Sequence, residues 1–578
     1  MTPEARGGAA SVGPPRPDQR EEPAAALVQR CGWTLVWLAV LAAGIGFWGS
    51  WTSWPGAAAF APLLVFAGTA GTAAVWLIRN PGSRAMQLAG LGAALVTAGV
   101  PQAVAIHARR FYSTDSAAFN DVAARLLVHG RDPYTASMAP AAGLLKSPAQ
   151  YWTYTVDGGH VSHVSYPAGS FLLDAPAVAL GFHHAVVDWV DLGAWLVTGV
   201  LLFAIVPAAL RWFSLLVVVT SLFVQMFSNG GTDALFLPFL VVAVWRWDRF
   251  ATARGAGLAG WVGPVALGLA CSIKQTPWFC VPFLVVGVAL EARRSGRRPW
   301  TVAARYLGIV AGVFVAIDLP FIVWSPGAWW SGTLLPLTQP LVADGQGLVT
   351  LALHGLTGGV VLPLLSVAGV LVYLALMVAY VAWFPRMKRV WLFVLPAVLF
   401  IPARSLSSYL VDFFPVAVVA ALTVTHPAAT EGNAGAPVVR RWWGALGVAV
   451  PVAVAVAVAV VAFTSAPLEL SVTGFRTSNA TQKLDSVTVS VHNRTDHPVV
   501  PHFMVVISGI HPTGFWTTGS ERGGVVLKPG ATEAVTLYPN LYTWSPANGS
   551  YWLVEAYTSS PDALSTTRPQ FWTLGPLQ

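Results

Sequence analysis

The chain has 578 residues, 55% of them hydrophobic and 10% charged, with a mean hydropathy of +0.62, against roughly 25% charged residues in soluble domains. This composition excludes a cytosolic globular enzyme and equally a disordered chain. The net charge of +8 is carried in short bursts between apolar runs, with no basic stripe interleaved with aromatics, so it marks topology and not a nucleic-acid surface. Cys31, Cys271 and Cys280 lie in or beside apolar runs and offer neither a disulfide framework nor a thiolate zinc site.

Residues 1–31 carry Pro14, Pro15 and Pro17 with charges of both signs and lack the pattern of a signal peptide, which predicts a disordered cytoplasmic tail. Apolar runs of spanning length follow near 33–50, 58–78, 86–106, 186–206, 211–227, 230–247, 257–273, 277–291, 303–324, 360–384, 389–402, 408–425 and 442–463. They predict a polytopic α-helical membrane domain over residues 32–466 with about 13 transmembrane helices, the shorter ones tilted or buried among the others. Basic loops orient it. Arg79 and Arg84, Arg211, the 246–254 arginines, the 293–305 arginines, Arg386 with Lys388 and Arg389, and Arg440 with Arg441 all fall on the cytoplasmic side if the N-terminus is inside. The parity closes if 166–182, which contains Pro167, Asp174 and Pro176, lies at the outer interface without crossing. The C-terminus is then outside.

After the Val-Ala run ending near 463 the sequence turns polar and alternating. Segments such as 484–491, 503–507 and 551–557 have strand length and are separated by turns such as Lys528-Pro-Gly530, which predicts an extracytoplasmic immunoglobulin-like β-sandwich over 467–578. Asn479, Asn493 and Asn548 match glycosylation sequons, a pattern short enough to arise by chance.

In the predicted topology the ionisable residues are one-sided. Asp115, Asp121, Asp174, Asp188, Asp191, Asp233, Lys274, Asp318, Arg404 and Asp412 gather at the outer side, many near span ends, and the bilayer midplane is almost empty. A transporter places binding groups at the midplane on broken helices; an enzyme of the outer leaflet gathers them at outer helix ends. Outer basic residues run against the positive-inside trend, and a lipid-linked phosphate needs such cations for charge-assisted hydrogen bonds. Arg109, Arg110, Arg125, Arg131, Lys146, Lys274 and Arg404 are the exceptions, with snorkelling as the plainer account of any one of them.

The long polar loop, 107–185, opens with Arg109-Arg-Phe-Tyr-Ser-Thr-Asp115 and continues as a helical pattern to Leu127. Asp115 is the candidate general base, a carboxylate beside the membrane, partly desolvated, able to take a proton from a hydroxyl. The plainer reading makes Asp115 itself only a helix N-cap, although Ser113 or Thr114 can serve. Asp132-Pro-Tyr134 reads as a turn, and His160 and His163 as loop histidines whose spacing is only a faint metal signal.

Thr114-Asp115 after an apolar span, a helix ending Leu126-Leu-Val-His-Gly-Arg-Asp-Pro-Tyr134, and Ser165-Tyr-Pro-Ala-Gly169 opening an interfacial segment resemble the GT-C superfamily of membrane glycosyltransferases, and within it the actinobacterial polyprenol-phosphate-mannose-dependent mannosyltransferases. Ser228-Asn-Gly-Gly-Thr-Asp233, Ile273-Lys-Gln-Thr-Pro277 and Ser405-Leu-Ser-Ser-Tyr409 are similar to that family's outer-face loops, and the resemblance covers roughly 86–425. Pro167-Ala168 departs from the two prolines the family often carries after the tyrosine.

The resemblance implies a transferase of the bacterial plasma membrane that moves mannose or arabinofuranose from a polyprenyl phosphate to a hydroxyl of a cell-envelope glycan or glycolipid. It implies Asp115 as base; Lys274 and Arg404, with Arg109 or Arg110, on the donor phosphate; and Tyr134, Tyr166, Asp233, Tyr409 and His163 around sugar and acceptor. No cofactor and no metal is expected, since basic side chains can neutralise a single phosphate. The other readings are a transporter or flippase of lipid-linked glycans, and a non-catalytic scaffold presenting the β domain. That domain is expected to bind the acceptor, to pack on the catalytic loop, or to serve stability or a partner.

Overall fold

The computed structural model describes residues 18–50, 55–227, 231–252, 258–425, 438–477, 483–507, 514–519, 525–540 and 549–572. Among these, eight helices are long and apolar enough to cross a membrane: Ala24–Trp48, Ala59–Leu77, Arg84–Ala108, Val186–Ile205, Thr276–Arg294, Pro299–Trp324, Leu362–Ala382 and Gly444–Thr464. Three shorter apolar helices, Ala208–Val219, Gly260–Cys271 and Ser407–Thr423, accompany them. The protein is therefore membrane-embedded and mostly helical, with a C-terminal region rich in β-strand.

Several apolar runs expected to span are interrupted. The run 211–227 breaks at Thr220, between Arg211–Val219 and Ser221–Phe227. The run 389–402 ends a helix at Val394 and restarts at Pro396, whose ring cannot continue the preceding turn. The tail expected to be disordered over 1–31 is helical from Asp18 onward, and residues 1–17 lie outside the described residues.

The chain divides into two compact units, residues 1–101 with 206–221, and residues 102–205 with 222–578. In the first, the Arg30 guanidinium donates to the Val75 carbonyl at 2.6 Å and to those of Ile78 and Arg79, occupying acceptors that a helix C-terminus leaves open. Arg211 donates to Gln87 at 2.7 Å.

The second unit carries the long loop 107–185 and the β region. Helix Asp115–Val128 is capped by Thr114, whose hydroxyl accepts from the Ala117 N–H at 3.3 Å, so the cap falls to Thr114 and Asp115 is the first helical residue. The segment 166–182, expected to lie at the interface, forms two one-turn helices, Gly169–Leu172 and Ala175–Ala179, with Asp174 buried between them.

In the β region, Leu468–Thr477, Leu484–Asn493 and Thr532–Leu537 form one antiparallel sheet in that order. A second sheet runs Gly359–Val361, Asp562–Thr566, Tyr551–Ser559, His502–Ile507, Phe515–Trp516, with Gln570–Phe571 also pairing Tyr551–Ser559. Leu484–Asn493 alternates buried and half-buried positions, whereas 503–506 and 552–558 are buried without a break. The continuous pattern arises because both faces are covered. Phe503, Val505, Trp552, Val554 and Ala556 meet the other sheet in one apolar cluster; Met504, Val506, Leu553 and Tyr557 meet Val156, Val342, Ala343 and Leu362 in another. Asn493 is buried, its amide donating to the carbonyls of His497, Leu527 and Lys528, and so is no acceptor for a glycan; Asn479 and Asn548 lie outside the described residues.

The strand Gly359–Val361 enters the second sheet directly from the membrane part, immediately before helix Leu362–Ala382, and pairs with Asp562–Thr566. Gly359 makes this possible with φ of +146°, and a Cβ there would strike the Leu564 carbonyl. Gly359→Ala is expected to lower the thermal midpoint of the solubilised protein by several degrees and expose the 465–468 junction to protease, whereas Gly358→Ala, whose Cβ would meet open space, leaves both unchanged.

Candidate functional site

A cavity of about 370 Å3 opens in the second unit. Seven separated stretches supply most of its polar lining: Ser113 to Ser116, Gln150 to Tyr154, Tyr166, Gly231 with Asp233, Lys274, Asp344, and Arg404 with Ser407 to Tyr409. Gln225 and Met226 complete it.

Asp115 reaches this cavity from the first turn of its helix. Its Oδ2 accepts from the Thr153 backbone N–H at 2.8 Å. Burial raises its carboxyl above the ordinary value, and the Thr153 hydrogen bonds and the Arg404 charge pull the other way without cancelling the effect. A carboxylate in this state is a stronger base than an exposed one and keeps a donor that fixes its orientation.

Lys274 lies in the turn between Leu258–Cys271 and Thr276–Arg294. Its ammonium is ion-paired with Asp233, the first residue of helix Asp233–Val244, and donates to the Gly231 carbonyl at 3.2 Å. It also lies 5.5 Å from the centre of the Tyr166 ring and 5.2 Å from that of Tyr409, within cation–π range of both. Burial opposes its charge, but Asp233 and the two tyrosines outweigh burial, so the pKa is raised and Lys274 stays protonated. The Tyr166 hydroxyl is pushed up to about 12, chiefly by burial, and is a neutral donor at neutral pH.

Arg404 is held quite differently. Asp344–Gly345 and Arg404–Ser405 form a two-residue parallel ladder, which sets Asp344 beside Arg404 in register. The Arg404 Nη2 lies 3.9 Å from Asp344 Oδ2 and Nη1 donates to the Val342 carbonyl at 3.4 Å. With side-chain exposures of 24% and 51%, such a pair contributes about 0–1 kcal/mol. Arg404 can therefore exchange Asp344 for an incoming anion at little cost, whereas Lys274 is already committed to Asp233.

The other residues singled out in the sequence lie elsewhere. Arg109 pairs with buried Asp188 at 3.6 Å, Arg110 is exposed, and His163 is exposed beside Ser162; none of the three lines the cavity. Tyr134 is buried against Phe171 and Phe321, away from the lining, and its hydroxyl donates to the Tyr166 carbonyl at 2.8 Å. It thus supports the backbone that carries Tyr166. Of the other carboxylates, Asp121 is taken up by Tyr112 and Arg125.

Asp344 and Thr153 were not singled out by the sequence. Asp344 had a signal available, being the one charged residue between Asp318 and Arg386. Thr153 reaches Asp115 through its backbone N–H and its side chain, a meeting set by the tertiary fold. Among the described residues no three His, Cys, Asp or Glu side chains gather in a way that could hold a metal ion. No family model matches the chain, and no curated protein or solved structure matches it.

The buried pair yields a stability prediction. Lys274→Met strands Asp233 without its cation, and removing one partner of such a pair costs about 3–5 kcal/mol. The thermal midpoint should fall sharply, and the double variant Lys274→Met with Asp233→Asn should recover part of the loss.

Proposed function

We propose that the protein is a glycosyltransferase that moves a sugar, mannose or arabinofuranose, from a polyprenyl-phosphate donor to a hydroxyl of a cell-envelope glycan or glycolipid at the outer face of the bacterial plasma membrane. The observation that carries the reading is the meeting of Asp115, Lys274 and Arg404, from three distant parts of the chain, on one cavity of a membrane-embedded protein. The GT-C-like motifs supply the reaction type, and the topology with an outward β region, folded as an immunoglobulin-like sandwich, supplies the side of the membrane. The shared apolar cluster between the two sheets supports that sandwich.

In this mechanism the acceptor hydroxyl oxygen attacks the anomeric carbon and its proton passes to Asp115. The bond from that carbon to the phosphate oxygen breaks, and the phosphate leaves with the electron pair. Arg404, released from its weak contact with Asp344, takes up the developing charge, and protonated Lys274 adds a fixed positive field. Tyr166, Tyr409, Asp233 and the serines at 407 and 408 flank the space for the sugar. Arg109, Arg110, Tyr134 and His163 have no direct part in it.

Asp115→Asn keeps the shape of the side chain and removes the base, so turnover should fall by about 10²–10⁴-fold with the thermal midpoint retained; a transporter or scaffold would show no such loss of sugar transfer because it has none. The pH dependence is a further check. Asp115 acts when deprotonated, so turnover should fall as pH drops through a value above the usual aspartate range of about 3.9. Arg404→Gln removes the positive charge that opposes this rise, and the acid limb should move to still higher pH.

A further inference from the structure

The transferase chemistry uses the charged lining of the cavity but leaves unexplained why two segments of its wall rest on the C-terminal β region. One is Trp152 to Tyr154, whose Thr153 N–H holds Asp115 at 2.8 Å. Tyr154, the next residue, sets its ring edge-on to Phe515 of the β region with centroids 5.3 Å apart, and its hydroxyl donates to the Ala149 carbonyl at 2.9 Å. Phe515 is in turn packed edge-on by His502 and Tyr557.

The other wall segment is Val342 to Asp344. Val342 and Ala343 are buried in the cluster that contains Met504, Leu553 and Tyr557. The two segments are also joined to each other, because the Val342 N–H donates to the Tyr154 carbonyl at 3.0 Å. On the strand behind them the Tyr557 hydroxyl donates to Glu555 at 2.8 Å, with both residues fully buried. Burial, with a smaller contribution from the charge of Asp344, pushes the Glu555 carboxyl up to about 8. Both faces of His502–Ile507 and Tyr551–Ser559 are thus occupied, which leaves neither face of these central strands open to a glycan.

We infer that the β region is a positioning element of the reaction cavity, in which Phe515 holds the hydrogen-bond donor of Asp115 in place through Tyr154, while Tyr557 backs the wall that carries Asp344. Phe515 is a positioning residue and touches no substrate. Its kinetic consequence rests on the transferase reading; its geometric consequence does not. Loss of the Phe515 ring frees Tyr154, Thr153 withdraws its N–H, and the base loses orientation while Arg404 keeps its site for the donor phosphate.

The test compares full-length wild-type protein with Phe515→Ala, Phe515→Leu and the conservative Phe515→Tyr in detergent. Hydrogen exchange is followed for the peptide spanning 150–156, and transfer is measured from radiolabelled polyprenyl-phosphate mannose and polyprenyl-phosphate arabinofuranose to envelope lipid extract. In Phe515→Ala, exchange should quicken by at least about tenfold and kcat per folded protein should fall by at least about tenfold, with the donor KM little changed. Phe515→Leu, which retains apolar bulk and folds more readily, should move both readouts the same way by less, and Phe515→Tyr should restore them. Folded Phe515→Ala or Phe515→Leu with wild-type exchange at 150–156 overturns the inference, as does a loss confined to the yield of folded protein. Absence of transfer by the wild type defeats the transferase reading alone, and the exchange arm then decides the inference.

Discussion

The ammonium of Lys274 is the point on which the cavity of the second unit turns. It is buried, it must be stabilised, and the groups that do so come from separate parts of the chain: the Asp233 carboxylate at the start of one helix, the Tyr166 ring from the long loop, and the Tyr409 ring from the stretch after Arg404. A buried charge without such partners is costly, so these segments are drawn to one place by electrostatics rather than by apolar packing alone. The cavity is the space left beside that junction.

The same junction accounts for the division of labour among the cavity's charges. Because Lys274 is committed to Asp233, the carboxylate of Asp115 is stabilised instead by the Thr153 hydrogen bonds, the charge of Arg404 and the Ser116 backbone. Because Arg404 is paired loosely and stays partly exposed, it is the cation that an arriving anion can engage. A base strengthened by burial and a loosely paired cation beside a fixed one are what the proposed displacement at a glycosyl phosphate requires. The β region enters this arrangement as masonry behind two wall segments, joined to the membrane part through the covered faces of its central strands and through the strand Gly359–Val361.

Much of this was legible in the sequence, for identifiable reasons. Lys274 and Arg404 stood out because charged residues interrupting apolar stretches are expensive, and Asp115 because it sits just past a span end at the start of the long polar loop. The apolar run 503–507, and 551–557 with Glu555 as its one charge, recorded strands buried on two sides, though not what lay on the second side. The rest was hidden by physics that residue type does not encode. Arg109 and Tyr134 carry the chemistry of a site but are consumed by Asp188 and by the Tyr166 carbonyl, partners fixed only by the tertiary fold. Thr153 meets Asp115 through its backbone N–H and its side chain across a separation of 38 residues, which no local pattern signals. The apolar run 211–227 has spanning length, yet its helix breaks at Thr220.

The central claim, that a phosphate-linked sugar is processed between Arg404 and Asp115, is tested most directly by a cryo-EM structure of the protein in nanodiscs with a short-chain polyprenyl-phosphate sugar. The account predicts the phosphate within hydrogen-bond reach of Arg404, in place of its contact with Asp344, and the anomeric carbon exposed on the side facing the Asp115 carboxylate. A phosphate seated away from this cavity, or a sugar whose anomeric centre is turned from Asp115 with other residues in between, would contradict it.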